Sequence, residues 1–510
     1  MRRLCLLLLL LPALASCQWM TEDYEDERYY VDSSANQYIN LTISVGSGHQ
    51  VTTRALPAGG ENGDGREAGF ERENAIRGIT FILADGPLGS STAKVQYVRY
   101  FPVFRGTALD PGATTSHSHT DGGGEEVIYT TGDCLVDDFD LRENKDYHVI
   151  VLANCYMAAS VGDNLSDIQD RTLSLSALCQ RTGTSYVPDN YNTFAMASEQ
   201  DVVINFGGGT GVTQTSTPNS VTYTVNRAII IERLAARIDY CSNYAGGSKT
   251  APYGTYNVTV NNESTTVKGY KYEVDDYTYF VLESIIPFNL FNEQEFFFKR
   301  VRADWDTSTP NYYLAEETAS NFVADPKTNL KTATAMNYIN PISVADEPAW
   351  TATTPYYRSC ESMNAQATTS KLSINSHLTG DGDKSNVFVL AYAMENTLKP
   401  ASPLKAYATG LVLIGSYYDA NTNSFLARKT HYGFLRHQGE TRDGSGPYPT
   451  YEWSDLTSEL TGASSVPMNF SIVRNNIYRV SIDHVSAIGR LRLRMAVHDW
   501  RNVWNPEIFI

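Results

Sequence analysis

The chain has 510 residues, 42% hydrophobic and 19% charged, with a formal net charge of -17. That length supports a sizeable core and exceeds one ordinary domain. The acidic balance, with no basic stripe to meet phosphates, excludes nucleic acid as a partner.

The first segment, MRRLCLLLLLLPALASCQ, places Arg2 and Arg3 before an apolar run of roughly a dozen residues, the pattern of a secretory signal and too short to span a bilayer. Its Leu14-Ala15-Ser16-Cys17 end resembles a bacterial lipobox, so residues 1–17 read as a lipoprotein signal with Cys17 as the lipidated residue. No later segment reaches the roughly 18 uninterrupted apolar residues of a membrane-spanning helix. Residues 18–35 are acidic and without apolar period, a tether ahead of the first strand.

That strand is clean: Ile39, Leu41, Ile43 and Val45 alternate with Tyr38, Asn40, Thr42 and Ser44. Arg54 follows it, and then a loop rich in Gly, Pro and charge, ALPAGGENGDGREAGFEREN. Short strands separated by turns resume at IRGITFILAD and continue to about residue 241. Near the end of that block Ile230, Leu234 and Ile238 also fit helical spacing, so the stretch SVTYTVNRAIIIERLAARIDY reads as mostly strand at its start and stays open at its end. A second block begins near residue 245 and carries turn-separated strands for more than 200 residues, the pattern of a β-sandwich with long loops. With 33 Tyr and many Thr and Val, the expected class is all-β, with two β-sandwich domains in series. The last predicted strand alternates Leu491, Leu493, Met495 and Val497 with Arg490, Arg492, Arg494 and Ala496.

The motifs that invite chemistry have plain alternatives. His117, His119 and Asp121, near Glu125 and Glu126, sit among Ser, Thr and Gly and read as a solvated loop rather than a metal site. The glycines after Asn205 lack the Gly-Lys-Ser/Thr ending of a phosphate loop and read as a hairpin. Asp381 and Asp383 lack the later bidentate Glu of a calcium loop. Cys134, Cys155, Cys179, Cys241 and Cys360 form neither a disulfide framework nor a zinc pair, and their redox state is open. No nucleophile elbow, metalloprotease helix or catalytic cysteine signature appears, so no enzyme activity, cofactor or metal is expected.

The lipobox, QYINLTISVGSGHQVTTR, LAARIDY, AYAMENTLKP with YATGLVLIGSYY, VRNNIYRVSIDHV and MAVHDWRNVW together resemble the fimbrillins. These are lipoprotein precursors of type V pili in Bacteroidales-type bacteria, and the likeness is strongest to the minor-fimbria group. The resemblance implies transthyretin-like sandwiches, an outer-membrane lipoprotein precursor, palmitate-type lipidation of Cys17 and no catalysis. It also implies a cut by an arginine-specific protease between Arg54 and Ala55, with Arg66 as the rival site. Residues 18–54 would then be a propeptide containing the strand Ile39, Leu41, Ile43 and Val45. Residues 55–241 and 242–510 would be the two domains. A neighbour's donor strand, here residues 490–500 with Leu491, Leu493, Met495, Val497 and Trp500, would replace the lost strand. The implied function is a structural pilus subunit joined to other pilus subunits by donor-strand exchange and supporting adhesion. The alternative is a lipid-anchored accessory, tip or anchor subunit, or an adhesin for a host protein or glycan. Only SAIG, Ser486 to Gly489, precedes the candidate donor strand, a shorter reach than the Pro- and Asn-rich linkers of polymerising members.

Overall fold

The computed structural model describes residues 36–45, 66–68, most of 73–302, most of 322–369, 387–436, 450–453 and 470–501. Cys17, Arg54, Ala55, Asp381 and Asp383 lie outside the described residues. The class is all-β: β-branched and aromatic residues alternate along short strands, and these pair into two sandwiches.

In the first sandwich, a four-stranded sheet runs in the order Cys134–Val136, Asn36–Asn40, Ser220–Val225, Val212–Thr217. Facing it is a nine-stranded sheet. Its main path is Val95–Phe101, Ile79–Ala84, Tyr147–Ala153, Met196–Ser198, Ile229–Arg233, Thr42–Val45, Gly124–Thr130, Thr114–Thr120. Apolar residues from both sheets, including Ile39, Tyr223, Phe81, Val149 and Ile231, share one core.

In the second sandwich, Arg66–Ala68, Arg490–Arg501, Asn476–Ala487, Ala236–Cys241 and Val387–Ala393 form one sheet, with Thr450–Trp453 also paired to Arg490–Arg501. The other sheet runs Tyr253–Val260, Glu263–Asp275, Thr278–Phe288, Gly410–Asp419, Phe425–Phe434. Its Leu282, Leu413 and Tyr417 share a core with Val480, Ile482 and Leu493 of the first. The open stretch of sequence resolves as two strands, Ile229–Arg233 in the first sandwich and Ala236–Cys241 in the second. The backbone crosses between sandwiches at Leu234 and Ala235, and pairing on both sides overrides the helical spacing.

The His117 region departs from the expected loop. Thr114–Thr120 and Gly124–Thr130 form a hairpin in which His117 pairs with Val127 and His119 with Glu125. A strand built from Thr, Ser and His carries no apolar alternation, so its state is set by its partner. The Asn205 turn is a tight one, closed by a bridge from Asn205 to Thr210, with Gly209 and Gly211 at positive φ. All five cysteines outside the signal are free thiols, with Cys179, Cys241 and Cys360 buried.

Candidate functional site

The leading strand, residues 36–45, belongs to both sheets of the first sandwich. Asn36–Asn40 lies between Cys134–Val136, antiparallel, and Ser220–Val225, parallel, so Ile39 is opposite both Cys134 and Tyr223. Thr42–Val45 lies between Gly124–Thr130, antiparallel, and Ile229–Arg233, parallel, so Ile43 is opposite both Tyr129 and Ile229. Leu41 is where the chain steps from one sheet to the other. Its N–H donates to the Thr131 hydroxyl at 2.9 Å, and its carbonyl accepts the Thr131 N–H at 2.8 Å. Thr131 thus satisfies both backbone groups that a change of sheet would strand.

Ile39 and Leu41 are 0% exposed, Ile43 and Val45 1%. Gln37 is buried too: its carbonyl oxygen accepts the Leu141 N–H at 2.8 Å and its amide donates to Asp140 at 3.2 Å. Asp140 is held down to about 2, chiefly by hydrogen bonds from the Arg142 guanidinium and N–H. This strand is therefore an interior element in two sheets, yet it is the first strand among the described residues. Its removal would open a slot in both sheets at once, leaving unpaired donors and acceptors on four flanking strands.

At the other end, the strand Arg490–Arg501 pairs antiparallel with Asn476–Ala487 from Arg490 to Asp499, with two bulges. The connection is a tight turn at Ile488 and Gly489, with Gly489 at φ 84°. The opposite edge is occupied at both ends, by Thr450–Trp453 beside Leu491–Arg494 and by Arg66–Ala68 beside Asp499–Arg501. Leu491, Leu493, Met495 and Val497 are at most 4% exposed and point into the second core.

Trp500 is fully buried and joins the first core instead. Its ring stacks on Tyr392 at 5.9 Å and 14°, meets Phe194 edge-on at 5.8 Å, and lies under the Arg233 guanidinium at 4.8 Å. Arg233 also donates to the Trp500 carbonyl at 2.7 Å and to the Glu73 carbonyl at 3.0 Å. The Glu73 carboxylate pairs with Arg237 at 3.0 Å and accepts the Tyr392 hydroxyl. Arg237 grips Asp239 through two bonds of 3.0 Å, and Arg479 reaches Asp239 at 3.1 Å. Glu73, Arg233, Arg237 and Asp239 are at most 0% exposed. A buried charge network therefore ties Glu73, the crossing between sandwiches and the end of the terminal strand together.

Sequence reading identified both amphipathic strands but not this clasp. A signal existed in LAARIDY, where Arg237 and Asp239 alternate with Ala236, Ile238 and Tyr240 in an otherwise apolar strand. Charges at that period in a two-sided buried strand require partners.

No family model and no curated relative matches the chain. Among solved structures, it is similar to a candidate cell adhesion protein from Parabacteroides distasonis, at 13% identity and a TM-score of 0.40, over 92% of this chain and 98% of that one. A second structure described in the same terms, from the same organism, matches at 13% identity and a TM-score of 0.38, over 92% and 100%. The tip fimbrial protein of Porphyromonas gingivalis, with a C-terminal truncation, matches at 10% identity and a TM-score of 0.37, over 91% and 100%.

Proposed function

We propose that the chain is a bacterial surface pilus or adhesion subunit, exported as a lipoprotein precursor lipidated on Cys17 and matured by a cut between Arg54 and Ala55. The observation that carries this reading is the leading strand. An N-terminal strand paired on both sides in two sheets is an unusual thing to place ahead of an arginine-bearing, glycine-rich segment, unless it is a temporary occupant. A partner's strand entering the vacated slot would restore the ladders and refill four apolar sites, the β-augmentation mode of recognition. Arg54 is a better cut site than Arg66, because Arg66 already lies in a strand paired with the terminal strand.

The enclosed terminal strand favours a particular place in the fibre. With both edges occupied, a tight turn before it and Trp500 clamped, it supports a subunit that receives a strand without giving one. That is an accessory or tip subunit rather than a repeating stalk unit. No catalytic role is part of this reading.

The test is the N-terminus of the protein recovered from the surface of the producing cell. Ala55 is the expected first residue, and Arg54→Ala should leave the precursor uncut and absent from fibres. A wild-type protein that still carries lipid on Cys17 would overturn the maturation step and leave an anchored adhesin.

A further inference from the structure

One end of the second sandwich carries a feature that strand exchange does not use. The long strand Glu263–Asp275 pairs with Tyr253–Val260 through its first half and with Thr278–Phe288 through its second. Gly269 stands at the change of partner, where a Cβ would meet the Leu282 carbonyl oxygen at 2.0 Å. The hairpin packs Val258, with Tyr256, Val260 and Val267, against Tyr279, Val281 and Tyr418 in a small core separate from the main one.

Its tip is tied to the neighbouring turns. The Thr259 N–H donates to the Asn423 carbonyl at 2.9 Å, the Ala420 N–H to the Tyr277 carbonyl at 2.7 Å, and the Tyr279 hydroxyl to the Asn423 side chain at 3.0 Å. Three turns thus meet: Asn261 with Asn262, Asp275 to Tyr277, and Ala420 to Asn423. The last is ordered from within. The Asp419 carboxylate accepts the Thr422 N–H at 2.8 Å and hydroxyl at 3.0 Å, and the Asn421 N–H at 2.9 Å, which hold it below its ordinary range.

On this fixed base stand exposed rings. Tyr277 is 69% exposed and Phe425 38%, with Leu426 beside it at 44%. Phe425 is braced edge-on against Tyr418 at 6.0 Å, and Tyr418 stacks on Tyr279 at 5.4 Å. Thr278 is opposite Asp419 and Tyr418 opposite Phe425, so the backbones of Tyr277 and Phe425 flank one strand. Two inter-strand spacings put them about 10 Å apart. Exposed Asn421, Thr422 and Asn423 fill the turn between the two, and exposed Asp275 and Asp276 border it.

We infer that this turn cluster is a binding site for a neutral oligosaccharide, with sugar rings seated on Tyr277 and Phe425 and their hydroxyls paired with the surrounding amides and carboxylates. A sugar has an apolar C–H face and a rim of hydroxyls, which calls for ring faces bordered by short hydrogen-bonding side chains on a rigid support. The three turns carry Asp275 and Asp276 and contain no Lys or Arg; of the bordering cations, Lys271 lies over the Tyr279 ring at 4.0 Å and Arg428 is paired with Glu283 at 2.6 Å, so an anionic glycan is disfavoured at the turns themselves. The apolar area of three side chains is too small to hold a protein partner of ordinary interface size. The inference rests on the adhesion reading and supplies its ligand class.

The experiment is titration of the purified full chain with maltotetraose, chitotetraose, lacto-N-tetraose and sialylated lacto-N-tetraose, by calorimetry. At least one neutral tetrasaccharide should bind, and Tyr277→Ala and Phe425→Ala should each weaken it by about tenfold or more. Tyr277→Phe should retain binding, and the exposed Leu330→Ala should change nothing. Phe425 braces Tyr418, so Tyr277→Ala is the cleaner variant, because that ring is largely in solvent. Absence of binding to every neutral sugar, equal affinity in the alanine variants, or tighter binding of the sialylated sugar would overturn the inference. N-terminal sequencing of surface-recovered protein reports separately on maturation, so a failed titration leaves the Arg54 reading standing.

Discussion

A chain cut after Arg54 and stripped of the released piece should lose much of the stability of its first sandwich, and a synthetic peptide spanning residues 36–45 should restore it. Ile39, Leu41, Ile43 and Val45 are buried in the precursor. At ~1.5–3 kcal/mol for each side chain, their burial contributes at most about 6–12 kcal/mol, an upper figure because an unfolded chain already hides some apolar surface. Backbone pairing on both sides, and the two bonds between Leu41 and Thr131, add to that. A whole domain is stable by only about 5–15 kcal/mol, so the stripped form should melt far below the precursor or expose its core. Calorimetry or thermal circular dichroism reads both steps. A peptide with Ile39→Asp and Ile43→Asp should fail to rescue, since each charge would enter a dry site. A stripped chain that melts with the precursor would sink the idea that the strand is structural, and rescue by the charged peptide would show that the slot is not read by its apolar positions.

The leading and terminal strands were legible because period-2 alternation in a half-buried strand leaves a direct imprint on sequence. What alternation could not reveal is the change of sheet at Leu41, since the apolar period runs through it without a break. The strands 229–241 were ambiguous for the opposite reason: Ile230, Leu234 and Ile238 fit two periods, and only pairing decides between them. The hairpin holding His117 and His119 left no imprint, because a polar strand of Thr, Ser and His has nothing to alternate. The clasp was hidden by distance along the chain, Arg237 and Glu73 being 164 positions apart. The turn cluster at Tyr277 and Phe425 was hidden because isolated exposed aromatics mean nothing until the fold gathers their turns.

Trp500→Ala should loosen the anchored end of the terminal strand while Leu491, Leu493 and Met495 stay in the second core. Removing a fully buried Trp costs about 3–5 kcal/mol, and here it also strips the Arg233 guanidinium of its ring and opens the contact with Tyr392 and Phe194. Glu73→Ala should act on the same unit from the other side. It leaves Arg237 with Asp239, a carboxylate already shared with Arg479, and removing one partner of a buried pair costs about 3–5 kcal/mol. Because the two residues belong to one network, the double variant should cost less than the sum of the singles. Hydrogen exchange followed by mass spectrometry reads the local consequence: amides of residues 490–501 should be protected in the wild type and exchange faster in Trp500→Ala. The functional consequence follows from the same geometry. A subunit whose terminal strand stays at home accepts a partner and then ends the chain. The Trp500→Ala form, with the anchor of its alternating strand weakened and a vacated slot after maturation, should yield that strand to a further copy more readily than the wild type. Size-exclusion chromatography of the stripped chains would show the wild type as single subunits and the variant as oligomers. Oligomers of the wild type under those conditions would return the chain to the class of repeating stalk subunits.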